Sequence, residues 1–442
     1  MRAKLAVLLA AGVSMSLLLG GGVRDAAASG FGRPTQIGAR AIGMGGAWAA
    51  IADDPLAIYH NPAGLAQLPR TALTIDVEAL YAPRYYDAKN GDPLAKPASC
   101  AADPTSNALC PKQEGNVPVP AIPALAFSTR LQGSDHLPSR FAFGAGVFLP
   151  YGGAVHFDRT KLANGMPDPA VSGVDDTQLI DVELVPAVAY EVSDALLLGA
   201  GIRVGFTIFD VKAFNKPVTA DLKSNGLGIS FNLGALVRLG SKVKLGVSYQ
   251  APMNLEVSGD GTIELPSGTT PVDFAANIHW PQKLMAGLAA RLGKLTISAQ
   301  IDWTDWSSFQ EILLELRNRN DFAFAQNFHD SIGLHYGIQY ELSKKLALRG
   351  GYTFDGNAVP DRNLERQYLD DDKHLIAVGG SYEVNGRFGI DAAFEMLLPL
   401  GARHVPDNAG EVGAGRTDLQ NVNPGDHEGK LFTLALTGRV SF

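Results

Sequence analysis

Apolar and polar residues alternate with a period of two along much of this chain. Within residues 71–81, Leu73 and Val77 fall on one face and Asp76 falls on the other. This alternation predicts a β-strand with one apolar and one polar face. The same pattern predicts fourteen strands, at about 71–81, 121–131, 140–150, 177–191, 195–210, 226–239, 242–258, 283–293, 294–303, 331–342, 345–354, 374–384, 387–397 and 430–442.

Alternation alone fits two architectures, and the connections between strands separate them. A membrane barrel turns its apolar face to lipid, whereas an open soluble sheet buries that face against a second sheet. Links after even-numbered strands are short, apart from a modest one around 132–139. Links after odd-numbered strands are long: about 82–120, 151–176, 211–225, 259–282, 304–330, 355–373 and 398–429. Short turns on one rim and long loops on the other predict an all-β, fourteen-stranded antiparallel outer-membrane barrel with both termini on the periplasmic side.

Residues 29–70 do not alternate and are rich in glycine and alanine. Asp54-Pro55 and Asn61-Pro62 each have the form of a helix N-cap followed by proline at the first helical position. The first helical turn must end before Asn61, because proline disfavours the α conformation in the residue before it. Since barrels much wider than eight strands leave an open lumen, we expect this compact, partly helical segment to fill it as a plug.

The first 28 residues have the features of a secretory signal peptide. Arg2 and Lys4 precede an apolar run at 5–19, and an Ala-Ala-Ala site at 26–28 follows it. The alternative is a single transmembrane anchor, for which the run is short. We therefore divide the chain into a signal peptide (1–28), a plug (29–70) and a barrel (71–442), and predict export to the outer membrane of a Gram-negative bacterium.

Charge, cysteines and motifs exclude several classes of protein. A net charge of −8 offers no basic patch for nucleic acid. Cys100 and Cys110 are the only two cysteines, so in an oxidising compartment we expect a loop disulfide, with a free or metal-bound pair as the alternative. No motif of a hydrolase, nucleotide-binding or metal-dependent enzyme is present, so we expect no catalytic residue, cofactor or metal. The nine histidines are scattered and are expected to be solvated.

Several stretches resemble one family of outer-membrane transporters. Ser29-Gly30-Phe31, the glycine run at 38–46, residues 51–54 and Asn61-Pro62-Ala63-Gly64-Leu65 resemble the plug, or hatch, of the FadL/TodX (OMPP1) family. Residues 144–153, 302–309, 348–352 and 359–361 resemble its barrel, so the similarity extends over the whole mature chain. Proteins of this family carry long-chain fatty acids and other hydrophobic compounds.

The resemblance implies two moving parts. One is a gate formed by the N-terminal Phe31 and the hatch motif at Asn61, Pro62, Ala63 and Gly64; the alternative is an ordinary flexible terminus. The other is an inward kink in the third strand, which opens the wall sideways and lets substrate leave into the bilayer. Proline and glycine weaken strand pairing there, although a strand end running into a glycine-rich loop has the same composition. The residues of this segment are Gly144, Gly146, Pro150, Tyr151 and Gly152.

Substrate-binding candidates come from the polar inner face and the apolar loops. Arg203 and Arg238 would suit a fatty-acid carboxylate, although most inward charges are expected to pair with one another or with the hatch. Phe309, Phe322 and Phe324 lie in the long loop after the ninth strand, where they form a capture groove or pack the loops together. The aspartates between 355 and 372 suggest a solvated acidic loop, bound through cations to lipopolysaccharide.

These features predict passive uptake of hydrophobic small molecules, either long-chain fatty acids or hydrocarbons. The alternative is a structural or adhesive outer-membrane protein that binds partners through its long loops; a barrel enzyme is a third possibility. The terminal Phe442 fits the aromatic end that barrel-assembly machinery recognises. We expect contacts with outer-membrane lipid and lipopolysaccharide and, following the family, a monomer.

Overall fold

The computed structural model describes residues 36–87, 113–116, 121–131, 140–157, 173–215, 218–265, 268–317, 321–364, 366, 370–405 and 425–442. Within these residues, fourteen antiparallel wall strands form a closed barrel, which confirms the predicted fold and strand count. We number them β1 (Ala72–Tyr81), β2 (Ala121–Arg130), β3 (Phe141–Phe148 and Gly152–Phe157), β4 (Gly173–Glu191), β5 (Leu196–Asn215), β6 (Val218–Leu239), β7 (Val243–Gln250 and Met253–Leu265), β8 (Gly268–Trp280 and Lys283–Leu292), β9 (Leu295–Thr304), β10 (Ser331–Glu341), β11 (Leu346–Asp355), β12 (Lys373–Glu383), β13 (Phe388–Leu397) and β14 (Phe432–Ser441).

The barrel closes between its first and last strands. β1 pairs with β14 in one continuous register, from Ala72 opposite Ser441 to Tyr81 opposite Phe432. Alternation along the strands sorts side chains between lipid and lumen. Ile75 on β1 is 51% exposed on the outside, whereas the adjacent Asp76 is fully buried inside. The apolar face therefore points to the bilayer, as the sequence pattern predicts.

β5 to β8 are longer than the sequence pattern predicts. The stretches 211–225 and 259–282, expected to be loops, are instead the paired ends of two hairpins, β5–β6 and β7–β8. The reason lies in the polarity of the faces. On these extensions the buried residues are often apolar, such as Leu222 and Phe274, and the exposed ones are polar, such as Lys223. In the membrane-spanning part of each strand the apolar face points outward and the polar face inward, which is the opposite arrangement. The alternation of apolar and polar residues is therefore interrupted where the two parts of the strand meet.

Short strands and 3₁₀ turns lie along the long-loop rim. Two strands, Glu311–Leu316 and Phe322–Ala325, form a hairpin whose first strand pairs with β8. The other rim strands are Arg84–Asp87, Gln113–Asn116, Arg403–Val405 and Gly425–Gly429, and two 3₁₀ turns lie at Trp306–Ser308 and Asp361–Asn363. In the part of the chain that the structure describes, every helix is too short or too polar to cross a bilayer.

The plug segment lies inside the barrel and will be called the hatch (residues 36–70). It contains two short helices, α1 (Ala39–Gly43) and α2 (Ala57–His60), and a 3₁₀ helix at Pro62–Gln67. The Asn61 side chain caps the 3₁₀ helix by accepting a hydrogen bond from the Ala63 amide at 3.2 Å, as predicted. The first cap is displaced: Asp54 accepts from the Leu56 amide at 3.0 Å, and α2 begins only at Ala57, because Pro55 and Leu56 form a separate turn.

Candidate functional site

The hatch is held by wall side chains that satisfy its irregular backbone. The Gly45 carbonyl accepts a hydrogen bond from Thr353 Oγ1 at 2.8 Å. Gln300 Oε1 accepts hydrogen bonds from the Trp48 and Ala49 amides at 3.0 and 2.8 Å. Since the hatch has little regular secondary structure, these contacts replace the internal hydrogen bonds that a helix or sheet would supply.

Glycines on the inner face of the wall let the hatch backbone approach closely. A Cβ added at Gly351 would lie 2.0 Å from the Gly45 nitrogen, and one at Gly234 would lie 2.1 Å from Asn61 Oδ1. The wall glycines that contact the hatch in this way come from seven strands: Gly199, Gly234, Gly246, Gly287, Gly337, Gly351 and Gly379. Hatch and wall are therefore in direct backbone contact around the lumen.

The hatch motif named from the sequence lies at this contact. Asn61, Pro62, Ala63 and Gly64 are all buried, and Asn61 Nδ2 donates to the carbonyls of Ala49 and Ala235 at 2.8 and 3.1 Å. Asn61 thus ties two parts of the hatch to β6. Phe31, the signal peptide, Cys100 and Cys110 lie outside the described residues.

Three histidines that the sequence analysis expected to be solvated are buried: His427 on the long-loop rim, and two that contact the hatch. His60 lies in the hatch with its Nε2 2.8 Å from the Ile37 carbonyl, and burial lowers its pKa to about 4. His335 on β10 lies with Nδ1 2.8 Å from the Gly45 carbonyl and Nε2 3.2 Å from Asp302 Oδ2. Both fix the hatch, and a lone histidine in a scattered set gave no sequence signal of that role.

The wall is interrupted in β3, next to the hatch. Phe148 pairs with Glu183 of β4 and Gly152 pairs with Ile180. Between these two pairs β3 therefore has one residue more than β4. On the other side, within the described residues, the ladder between β2 and β3 ends at Leu125 opposite Val147. This is a β-bulge beside a stretch of wall without ladder pairing.

The interruption lies at Pro150 and Tyr151 rather than at the two glycines named with them. Gly144 and Gly146 belong to the regular part of β3. A Cβ at Gly144 would lie 2.9 Å from Ile58 Cδ1 of the hatch, and one at Gly146 would lie 2.4 Å from the Phe148 ring. These glycines make room for side chains, while proline, which cannot donate to a ladder, marks the break.

An aromatic cluster lies on the long-loop side of this break. Tyr151 stacks on Trp280 of β8 with ring centroids 4.4 Å apart, and the Trp306 ring meets Tyr151 edge-on at 6.3 Å. Phe309 and Phe328 pack against Trp306 at 6.3 and 5.9 Å. Phe309 is buried, so it packs the loop onto the barrel instead of lining an exposed groove. Phe322 and Phe324 lie in the outer hairpin, and only their backbone is described.

Charged residues lie on the inner face beside the same break. Arg203 Nε donates to Glu183 Oε2 at 2.8 Å, and Arg203 also donates to the Ala251 carbonyl at 2.9 Å. Asp181 accepts a hydrogen bond from Thr207 Oγ1 at 2.6 Å. Arg238 is elsewhere: it lies at the short-turn rim, 3.3 Å from Glu191 and from the Asp194 carbonyl. The structure brings Arg203, but not Arg238, to the aromatic cluster.

The acidic loop is only partly solvated, because Asp361 is half exposed but Asp370 is not. Asp370 is buried and accepts hydrogen bonds from the Ala358 and Val359 amides at 2.9 and 2.6 Å. Arg403 bridges the loop by donating to Asp361 and to the Val359 carbonyl. Burial raises the pKa of Asp370 above its usual range. Backbone amides, Arg403 and Lys373, whose Nζ lies 3.4 Å from Asp370 Oδ1, hold this loop together.

Known proteins share this architecture. The family model described as "Outer membrane protein transport protein (OMPP1/FadL/TodX)" matches residues 23–442. A 47 kDa outer membrane protein of Pasteurella multocida (strain Pm70) is 23% identical over 391 residues, covering 80% of this chain and 84% of the relative.

Solved structures agree with the fold. A Pseudomonas aeruginosa FadL homologue superposes with a TM-score of 0.73 at 17% identity, covering 94% of this chain and all of that one. The P. putida toluene transporter TodX gives a TM-score of 0.69 at 16% identity, covering 93% and 99%. At these identities the likeness establishes the architecture, a plugged barrel.

Proposed function

This chain belongs to the OMPP1/FadL/TodX family of outer membrane transport proteins, and on that premise we propose that it is a passive channel for hydrophobic small molecules. Family and fold are those of outer-membrane transporters rather than enzymes. The solved relatives include a FadL homologue and a toluene transporter, which supports a small hydrophobic substrate. The proposal concerns the route that such a substrate takes through this barrel.

The observation that carries the proposal is that three features of the lumen adjoin one another. The hatch blocks the straight path, the aromatic cluster around Trp280 lies above it, and the β3 break opens beside both. Tyr151 belongs to the break and to the cluster, while Phe148, just before the break, meets the hatch ring of Tyr59 at 5.5 Å. An apolar solute would thus find apolar contacts from the cluster to the gap.

The proposed mechanism has three steps. Substrate leaves the long-loop rim and enters the aromatic cluster, where burial of its apolar surface holds it. Its binding shifts the hatch toward a form that opens the way past Tyr59, which requires that the substrate bind that form more tightly. It then leaves sideways between β2 and β3 into the bilayer. The gate includes Asn61 and Pro62 and, as an expectation from the family, Phe31.

Two further contacts are proposed for the assembled protein. Phe442 is 67% exposed at the short-turn rim, and its amide donates to the Thr71 carbonyl at 2.9 Å. A terminal aromatic ring displayed on a paired strand suits recognition by barrel-assembly machinery. The long-loop rim lies where lipopolysaccharide begins, and a monomer remains the expectation from the family.

The lateral exit can be tested by removing the break in β3. Deleting Pro150 removes the extra residue of the bulge, and it also removes the proline that cannot donate to the ladder. β3 should then regain a continuous register with β4. Filling Gly144 or Gly146 instead would confound the test, because the new Cβ atoms would meet Ile58 and Phe148. We expect the deletion to abolish uptake of radiolabelled toluene or oleate by cells that lack other such channels, at matched surface levels.

The control is Gly350→Ala, an outward-facing wall substitution whose new Cβ would meet only Ile338, at 3.6 Å. It should transport at the wild-type rate. Wild-type uptake by the Pro150 deletion would refute the lateral exit and leave the channel itself standing. No uptake of either label by the wild-type protein would argue against transport of these substrates and for the adhesive function.

A further inference from the structure

One buried acid beside the break has an unused hydrogen-bond acceptor. Asp181 lies on the inner face of β4 and is completely buried. Its Oδ1 accepts from Thr207, while Oδ2 has no hydrogen-bond partner among the residues that the structure describes. A buried polar atom left unpaired costs free energy comparable to a lost hydrogen bond, so such an atom in a binding region calls for an occupant.

Asp181 lies at the aromatic cluster. Its amide donates to the Tyr151 carbonyl at 3.1 Å, and the Tyr151 ring stacks on Trp280. Asp181 is also a neighbour of Met253, another buried member of that cluster, because both lie against Gly205. A Cβ added at Gly205 would lie 2.6 Å from the Met253 sulfur and 3.3 Å from Asp181 Oδ1. The Asp181 side chain is therefore next to the aromatic cluster through which we propose that substrate passes.

The cation beside Asp181, Arg203, is already engaged. Arg203 donates to both oxygens of Glu183 and to the Ala251 carbonyl. With Arg203 and Glu183 neutralising each other, the described residues around the cluster offer an acidic group, Asp181, and no unpaired cation. A carboxylate substrate would meet repulsion where a fatty-acid site needs a basic residue.

We propose that Asp181 makes this channel selective for neutral hydrophobic compounds that carry a hydroxyl donor, with phenols as the class that fits best. The hydroxyl would donate to Asp181 Oδ2, and the ring would lie among Tyr151, Trp280 and Trp306. This inference rests on the proposed transport function and specifies its substrate. A buried acceptor discriminates strongly against analogues that cannot donate, because binding them leaves the acceptor unpaired.

The experiment compares three probes of one shape: p-cresol, which has a hydroxyl; p-xylene, which has a methyl group in its place; and p-toluate, which has a carboxylate. Uptake is measured in porin-depleted cells, and binding to purified protein by quenching of tryptophan fluorescence. Wild type should prefer p-cresol to p-xylene and take up p-toluate least. Asp181→Asn replaces the free acceptor with a donor, so the p-cresol to p-xylene preference should fall about tenfold, the size expected for one hydrogen bond to a buried acidic group.

A matched control and a second variant keep the test decisive. Asp221→Asn makes the same change on β6 outside the lumen, where Asp221 faces Lys212 at 3.5 Å, and should leave the preference at the wild-type value. Thr207→Val removes the partner of Oδ1 without adding a donor; Oδ1 then also becomes available, so the preference should persist.

Two outcomes would overturn the inference. An unchanged preference in a folded Asp181→Asn protein would mean that a proton, shared with Glu183, satisfies Oδ2 in place of a substrate. Uptake of p-toluate above p-cresol by the wild type would mean that Arg203 is released to bind carboxylates. In either case transport itself stands; failure of the wild type to take up any of the three probes would instead count against the proposed function.

Discussion

Adjacent glycines on β11 have opposite surroundings, and the difference predicts opposite effects of one methyl group. A Cβ on Gly351 would lie 2.0 Å from the Gly45 nitrogen of the hatch, whereas one on Gly350 would face outward, 3.6 Å from Ile338. Gly351→Ala should lower the free energy of unfolding by about 1–3 kcal/mol through overpacking against the hatch backbone. Gly350→Ala, the control, should stay within about 0.5 kcal/mol of wild type. Denaturation in detergent micelles measures both; equal stabilities would contradict the close hatch contact.

As an element, the hatch depends on the wall more than on its own helices, which are only four to six residues long. Asn61 separates the two contributions, because its oxygen caps the 3₁₀ helix while its amide donates to Ala49 and Ala235. Asn61→Asp keeps the cap but turns a carboxylate toward two carbonyls, so it should destabilise more than Asn61→Ala, which loses about 1 kcal/mol of capping and the same two donors. Thermal unfolding in detergent ranks them; wild-type stability in Asn61→Asp would show that the cap alone matters.

For the whole molecule, we expect the wall to close without help from the hatch. The register that joins β1 to β14 is made by strand backbones alone, from Ala72 to Tyr81. Deleting residues 29–70 should therefore leave a barrel that still assembles but conducts ions, since fourteen strands enclose a lumen that side chains alone do not fill. Conductance in planar bilayers measures this, with the full-length protein as the non-conducting control. A deleted protein that fails to assemble, or one that stays closed, would show that the hatch shapes the barrel or that the loops seal it.

The amino-acid sequence by itself determined the architecture of this protein. Runs of consecutive residues predict the number of strands and which rim carries the short connections. They also predict a non-alternating segment with two places where an N-cap residue precedes proline. Lipid outside and a polar lumen inside impose one strict period on every membrane strand, so a local pattern suffices. The pattern failed where that environment ends: the extensions of β5–β8 lie beyond the bilayer and reverse the polarity of their faces.

Only the tertiary structure decided which residues meet. The register slip at Pro150, the burial of His60 and His335, the internal use of Asp370 and the placement of Arg238 at the opposite rim each depend on residues distant in the chain. The same holds for the candidate site, where Asp181, Arg203 and Tyr151 converge from three strands. A buried acceptor stays unpaired when its neighbours find their hydrogen-bond partners elsewhere. Those partners come from distant parts of the chain, so no local run of sequence shows which acceptor that will be.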